Sequence, residues 1–314
     1  MGDSVQIFEV SPRDGLQNEA AVLSTDEKLA HIRRLVAAGV QDVEVTSFVR
    51  ASRIPQLADA EAVYSGLRAA AADRSEVGAA PRFWALVPNQ IGLDRALSVG
   101  VTHICTFLSA SETHNHKNVN RSVRESIAGL RRVIGTAIDE GVAVRAYIST
   151  VFGCPYEGHV PVQRTVDIAK AMLGAGASVV VLGDTTGMGV PDQVKRTVDA
   201  VAAAGVPLER LALHAHDTRG TALVNAYAAF EAGVRRFDGS VAGIGGCPYA
   251  PGAAGNAATE DLVHMFEGMG VSTGIDPDAL ASSGHAMAAA LGRELPGRMH
   301  QFTRSACAAE RQTA

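Results

Sequence analysis

The sharpest chemical signal in the chain is His214-Ala215-His216. On a strand, residues i and i+2 point to the same face, so both imidazoles aim at one point. Two neutral imidazoles and a carboxylate make a metal site with open positions for water and substrate. Two hydrogen-bonded core histidines are the competing reading. Asp14, at the corresponding height on the first strand, is the expected third ligand. A set without thiolate suits Mg²⁺, Mn²⁺, Fe²⁺ or Co²⁺ more than structural zinc. A second pair, His114-Asn115-His116, sits in the polar stretch SASETHNHKN and reads as a solvated loop on the same side. Cys247 lies in the glycine-rich stretch GIGGCPYAPGAAGN, which ends in Asn256. The pattern alone leaves this cysteine open between packing and proton transfer. Further polar residues fall at expected strand ends. They are Arg13 and Gln17 in SPRDGLQNE, Glu44 in VEVTSF, then Arg145, Tyr147 and Ser149, and Asp184 in GDTTG. An apolar core has no structural need for so many convergent polar groups.

These residues need elements that bring strand ends together. Short β-branched runs alternate with longer amphipathic ones. Strands are expected at Val5–Val10, Asp42–Phe48, Phe83–Val87, His103–Phe107, Val144–Thr150, Ser178–Asp184, Leu211–Asp217 and Arg235–Val241. Each precedes a segment with helical spacing, as in Asp26–Ala38, where Leu29, Ile32, Leu35 and Val36 share one face. Thr25 is its expected N-cap and Gly39 its stop. A similar phrase recurs before many strands, carrying Gly39, Gly100, Gly141, Gly176, Gly205 and Gly233. Glycine after a helix relaxes the left-handed conformation needed there. Eight strand–helix units over about 260 residues predict an α/β fold, a single (β/α)₈ TIM barrel with extra C-terminal helices. A doubly wound open sheet is the alternative, but no GxGxxG opens a helix after the first strand. Asp276–Leu291 reads as one or two further helices. The barrel domain is expected to span 1–292, with 293–314 an irregular, mobile tail.

Composition narrows the function classes. The 314 residues are 47% hydrophobic and 19% charged, which suits a large core and excludes a disordered chain. The net charge of −5 argues against a nucleic-acid partner. Cys105, Cys154, Cys247 and Cys307 form no CxxC pair, so neither a disulfide framework nor structural zinc is expected. Cys105 and Cys154 read as structural. The opening MGDSVQIFEV lacks the pattern of a signal peptide, and apolar runs fall far short of the roughly 18 residues of a membrane span. A cytoplasmic location and no membrane partner are the expectation.

The motifs EVSPRDGLQNE, VEVTSF, GCPYEG, LGDTTG, HAHDT and SVAGIGGCPYAPGAAGNAATEDL occur in that order. Over residues 5–292 the chain resembles the 3-hydroxy-3-methylglutaryl-CoA lyases, within a wider group of metal-dependent carbon–carbon lyases and Claisen-type synthases. The resemblance implies an acyl-CoA substrate, a divalent cation such as Mg²⁺ or Mn²⁺, and a homodimer. It implies Asp14, His214, His216 and Asn256 as cation ligands. It implies Arg13 at the thioester oxygen, Cys247 in proton transfer, and Glu44 and Asp184 as acidic site residues. Gln17 and Tyr147 are expected to contact substrate. The expected reaction is cleavage to acetoacetate and acetyl-CoA, which the same resemblance ties to leucine degradation and ketone bodies. Cleavage of another branched 3-hydroxyacyl-CoA, such as citramalyl-CoA, is the alternative. A synthase would need an accessory C-terminal domain, and a non-catalytic CoA-ester sensor would not need intact ligands. Three departures stand out. Ala20 replaces a common Lys, Val181 a Ser and Arg219 a Tyr. Period-two alternation puts Val181 opposite Asp184 and away from the cation, as packing behind the strand toward the helices, unless Gly183 allows a bulge, in which case the change removes a polar contact to the acyl group. Arg219 is expected on the active-site side, near a carboxylate or CoA phosphate.

Overall fold

The computed structural model describes residues 3–72, 80–246 and 254–313. Eight parallel strands close into a barrel in chain order. They are β1 Gln6–Glu9, β2 Asp42–Ser47, β3 Arg82–Leu86, β4 His103–Ser109, β5 Ala143–Ser149, β6 Val179–Asp184, β7 Leu211–Ala215 and β8 Arg236–Gly239. The ring closes where β1 pairs with β8, Gln6 opposite Arg236 through Glu9 opposite Gly239. The expected TIM barrel is therefore present, and the open sheet is excluded.

The helices are α1 Thr25–Ala37, α2 Ala60–Ala72, α3 Gln90–Ser98, α4 Glu112–Val119, α5 Val123–Asp139, α6 Val162–Gly174, α7 Pro191–Ala203, α8 Ala222–Glu231, α9 Thr259–Gly268, α10 Pro277–Leu291 and α11 Arg298–Thr313. The cap of α1 is Ser24, one residue before the expected Thr25. Its hydroxyl accepts from the Glu27 N–H while the Glu27 carboxylate accepts from the Ser24 N–H. This reciprocal pair outcompetes a threonine cap, because it satisfies two orphan donors at once. The six repeat glycines all have positive φ, between 73° and 113°. At Gly39 a side chain would also meet the Gly274 carbonyl, at 2.5 Å.

Two layers of apolar packing result. Phe8, Val10, Trp84, Leu86, Cys105, Tyr147, Val181 and Ala212 fill the barrel interior. A larger cluster lies between strands and helices. Cys105 and Cys154 are both buried.

Two expectations fail. The His114 segment is not a loop but helix α4, capped by the Ser111 hydroxyl, which accepts from the His114 N–H at 3.1 Å. His114 is buried with Nδ1 2.6 Å from the Ser109 hydroxyl, and His116 on the same helix is exposed. Polarity concealed the helix, while the cap announced it. The 293–314 tail is not irregular, since Arg298–Thr313 is helical. It is anchored at its start, where the Gly297 N–H donates to the Ala242 carbonyl and the Arg298 and Met299 N–H groups to Asp261. Among the described residues no helix is long and apolar enough to cross a membrane.

Candidate active site

The site is built first from the end of β1. There the chain folds into a tight π-type turn, Ser11–Gly15, in which the N–H groups of Arg13, Asp14 and Gly15 all donate to the Val10 carbonyl. Gly15 is required by close approach, because a side chain would lie 2.6 Å from Ile244. The turn aims Arg13 and Asp14 at the barrel mouth. Gln17, one turn further on, donates to Asp14 Oδ1 at 2.6 Å.

The other half comes from β7. The register places Gly183 beside His214, with Val181 beside Ala212 one layer below. His216 follows the last strand residue and bridges to Asn256. Asn256 is fixed because the Asp217 N–H donates to the Gly255 carbonyl and the Ala257 N–H to the Ala215 carbonyl. Asp14, His214 and His216 each offer a ligand atom, and these atoms lie within 4.8 Å of one another. The Asn256 amide donates to Asp14 Oδ2 at 3.0 Å, and among the described residues its own buried Oδ1 has no partner. The Nδ1 of His216 is likewise buried and unpartnered. Orphaned buried acceptors are costly in a protein, and a cation relieves them. The donor set therefore fits a hard or borderline divalent ion.

The electrostatics favour the ligating forms of Asp14 and His216. Burial raises the Asp14 pKa, but Arg13, His214, His216 and the Asn256 hydrogen bond outweigh it and leave the pKa at about 2. Burial, aided by His214, pushes His216 down to about 3, so its ring is neutral. Burial also opposes the charge on His214, but Asp238 overcomes it and raises that pKa. Arg13 is locked in place. Its Nε donates to Glu44 at 2.7 Å, and a terminal nitrogen donates to Asp14. Burial raises the Glu44 pKa against the pull of Arg13, and among the described residues Glu44 Oε1 has no partner.

Some expected residues lie elsewhere. Asp184 faces away from the cluster, and its two oxygens accept from the Met188 and Gly189 N–H groups at 2.9 and 3.0 Å. The Tyr147 hydroxyl donates to Asp238 at 2.9 Å. Arg219 does lie on the expected side of the barrel, where one terminal nitrogen donates to the Thr186 and Gly187 carbonyls and ties the β6–α7 loop to the β7–α8 loop, while the residue itself stays exposed. Val181 does lie opposite Asp184, but it faces the barrel interior, not the helices. Cys247 lies outside the described residues. Sequence reasoning missed Asp238 on β8, whose neighbour in register is His214. Its signal was a carboxylate in phase with the inward residues of a buried strand.

The model of the HMGL-like family matches residues 4–286. The chain belongs to the HMGL-like family. Like the family, it is a carbon–carbon lyase on a TIM barrel. It is 45% identical to hydroxymethylglutaryl-CoA lyase YngG of Bacillus subtilis (strain 168), over 96% of this chain and 98% of that protein. The crystal structure of the Bacillus subtilis HMG-CoA lyase superposes with a TM-score of 0.91, at 44% identity, covering 96% of this chain and 98% of that one. An (R)-citramalyl-CoA lyase of Chloroflexus aurantiacus (strain ATCC 29366 / DSM 635 / J-10-fl) is 41% identical, over 94% of this chain and 93% of that protein.

Proposed function

We propose that the chain cleaves 3-hydroxy-3-methylglutaryl-CoA to acetoacetate and acetyl-CoA, using Mg²⁺ or Mn²⁺. The carrying observation is the Asp14–His214–His216 cluster set against the buried Arg13–Glu44 pair. Asp14, His214, His216 and Asn256 would hold the ion, which makes a substrate hydroxyl more acidic and polarises the ketone that forms. Arg13 supplies fixed positive charge. A guanidinium has five N–H donors, so it serves Glu44 and Asp14 and still offers donors to a thioester oxygen. That oxygen gains negative charge as the carbon–carbon bond breaks, so a preorganised cation there favours the transition state. Gln17 orients Asp14 from the side away from Asn256. Cys247 delivers the proton that turns the enolate into acetyl-CoA. Asp184 is better cast as an anchor of the β6–α7 loop, because its register partner is Ala215, on the face opposite His214, so the proton leaving the substrate hydroxyl is assigned to Asp14. A homodimer completes the reading, and light scattering checks it.

Citramalyl-CoA cleavage is the second reading, supported by the near-equal similarity of the Chloroflexus enzyme. Turnover of both thioesters with Mn²⁺, with the released acid identified by mass spectrometry, separates the two. Acetoacetate from the glutaryl thioester at the higher kcat/KM supports the proposal. Pyruvate from citramalyl-CoA at the higher kcat/KM sinks it and leaves the mechanism standing. His214→Ala is expected to lose Mn²⁺ binding by electron paramagnetic resonance and to lose most turnover. Parent-like Mn²⁺ affinity would refute the ligand set.

A further inference from the structure

Asp238 takes no part in the steps above, yet it sits at the centre of a converging set. Its side chain is 1% exposed. Oδ2 lies 3.2 Å from His214 Nδ1 and 2.9 Å from the Tyr147 hydroxyl. Oδ1 accepts from the Arg145 guanidinium, which stacks 3.9 Å over the Phe8 ring. The Tyr147 ring meets the His214 ring edge-on, with centroids 5.8 Å apart. His214 is thus gripped at Nδ1 and along one face.

We infer that Asp238 is the positioning residue that fixes the tautomer and rotation of His214. A carboxylate held against a guanidinium accepts hydrogen bonds and donates none. A neutral imidazole has a single N–H, so that proton must sit on Nδ1. The lone pair is then on Nε2, the nitrogen left for the cation. Carboxylates that take the second N–H of a ligating histidine set its orientation in this way and raise its basicity. Arg145 and Tyr147 hold the two oxygens of Asp238 in fixed roles. The inference rests on the cluster being a cation site.

The competing role for Asp238 is that of counter-ion to Arg145 inside the barrel. Asp238→Asn separates the two. Arg145 demands an acceptor, so the amide oxygen would take the Oδ1 position. The amide NH₂ would then face His214 Nδ1 and Tyr147. That arrangement drives the imidazole proton onto Nε2 and blocks the cation. In metal-free protein, at a pH high enough to keep the His214 ring neutral despite the raised pKa, ¹⁵N NMR of His214, assigned with His214→Ala, should show an Nδ1–H ring in the parent and an Nε2–H ring in the variant. Mn²⁺ affinity by electron paramagnetic resonance should fall about 10–100-fold. Should Asp238→Asn fail to fold, Arg145→Met with Asp238→Leu removes the ion pair as a unit and packs apolar groups in its place. Positioning predicts at least about tenfold weaker Mn²⁺ binding in this double variant as well. A counter-ion role predicts parent-like affinity, which would overturn the inference. So would an Nδ1–H ring with parent-like affinity in Asp238→Asn. A parent that binds no Mn²⁺ defeats the cation-site reading instead, and the metal-free tautomer assignments then decide Asp238 alone.

Discussion

Glu260 offers the most quantitative test of how this fold is held. It is the second residue of α9 and is 5% exposed. Its Oε2 accepts the Ala242 N–H at 2.7 Å. Ala242 has φ 52° and ψ 16°, a left-handed conformation unfavourable for a residue with a side chain, so this hydrogen bond holds a strained corner. Among the described residues, Glu260 Oε1 and both ring nitrogens of His300 have no partner. Oε1 and His300 Nδ1 face the same spot beside Gly284, at 2.7 and 3.1 Å from it. Burial drives the Glu260 pKa from 4.5 to about 8, against the N–H groups of Glu260 and Ala242. The folded chain therefore holds a proton that the unfolded chain releases above pH 4.5. Stability from this group is complete below pH 4.5 and is lost as pH rises through about 8. At about 1.4 kcal/mol per unit, the whole span is worth about 5 kcal/mol, and the part between pH 5 and 7 about 3 kcal/mol.

Glu260→Gln removes the titration while keeping an acceptor for Ala242 and adding a donor for the His300 side. The variant should match the parent at low pH and become progressively more stable than it as pH rises. Urea unfolding at several pH values, with the m-value compared between proteins, gives the difference directly. An advantage that grows by about 3 kcal/mol between pH 5 and 7 supports the argument. Parallel curves, differing by less than about 0.5 kcal/mol over that span, would show that Glu260 ionises normally and that the corner is not held by a neutral acid.

Two further outcomes concern the reaction. Arg13→Lys keeps a charge but loses the fork that spans Glu44 and Asp14, so kcat should fall more than substrate affinity; a change confined to KM would make Arg13 a simple anchor. Cys247→Ser should keep Mn²⁺ binding and lower kcat by about 10²–10⁴-fold, and near-normal turnover would leave the thiol outside the proton path.

The barrel and most of its mouth were legible because they rest on local signals. Positive-φ glycines close the helices, and each opens a strand within a few residues. The HxH pair and the RDG turn mark their own strand ends. What stayed hidden depended on partners distant in sequence. The hydrogen bond from the Tyr147 hydroxyl to Asp238 spans 91 residues. The Arg298–Thr313 helix was masked by a polar sequence, and its docking runs through backbone N–H groups that carry no residue signature.

Val181 shows why alternation alone could not place a residue relative to the cation. In an antiparallel sheet with one wet face, polar and apolar residues label the two sides. A parallel barrel strand is buried on both, so β6, VVVLGD, reads apolar whichever face is inward. The sequence therefore yields the parity, Val181 opposite Asp184, without the sign. Register supplies the sign, because Val181 pairs with Ala212 and Gly183 with His214, and Ala212 and His214 share the inward face of β7. Val181 thus lies one layer beneath the cluster, beside Tyr147 in register. A serine there would put a hydroxyl into the packed interior next to a tyrosine already committed to Asp238. Valine instead extends the apolar floor under the site. The substitution acts on the packing beneath Tyr147 and His214.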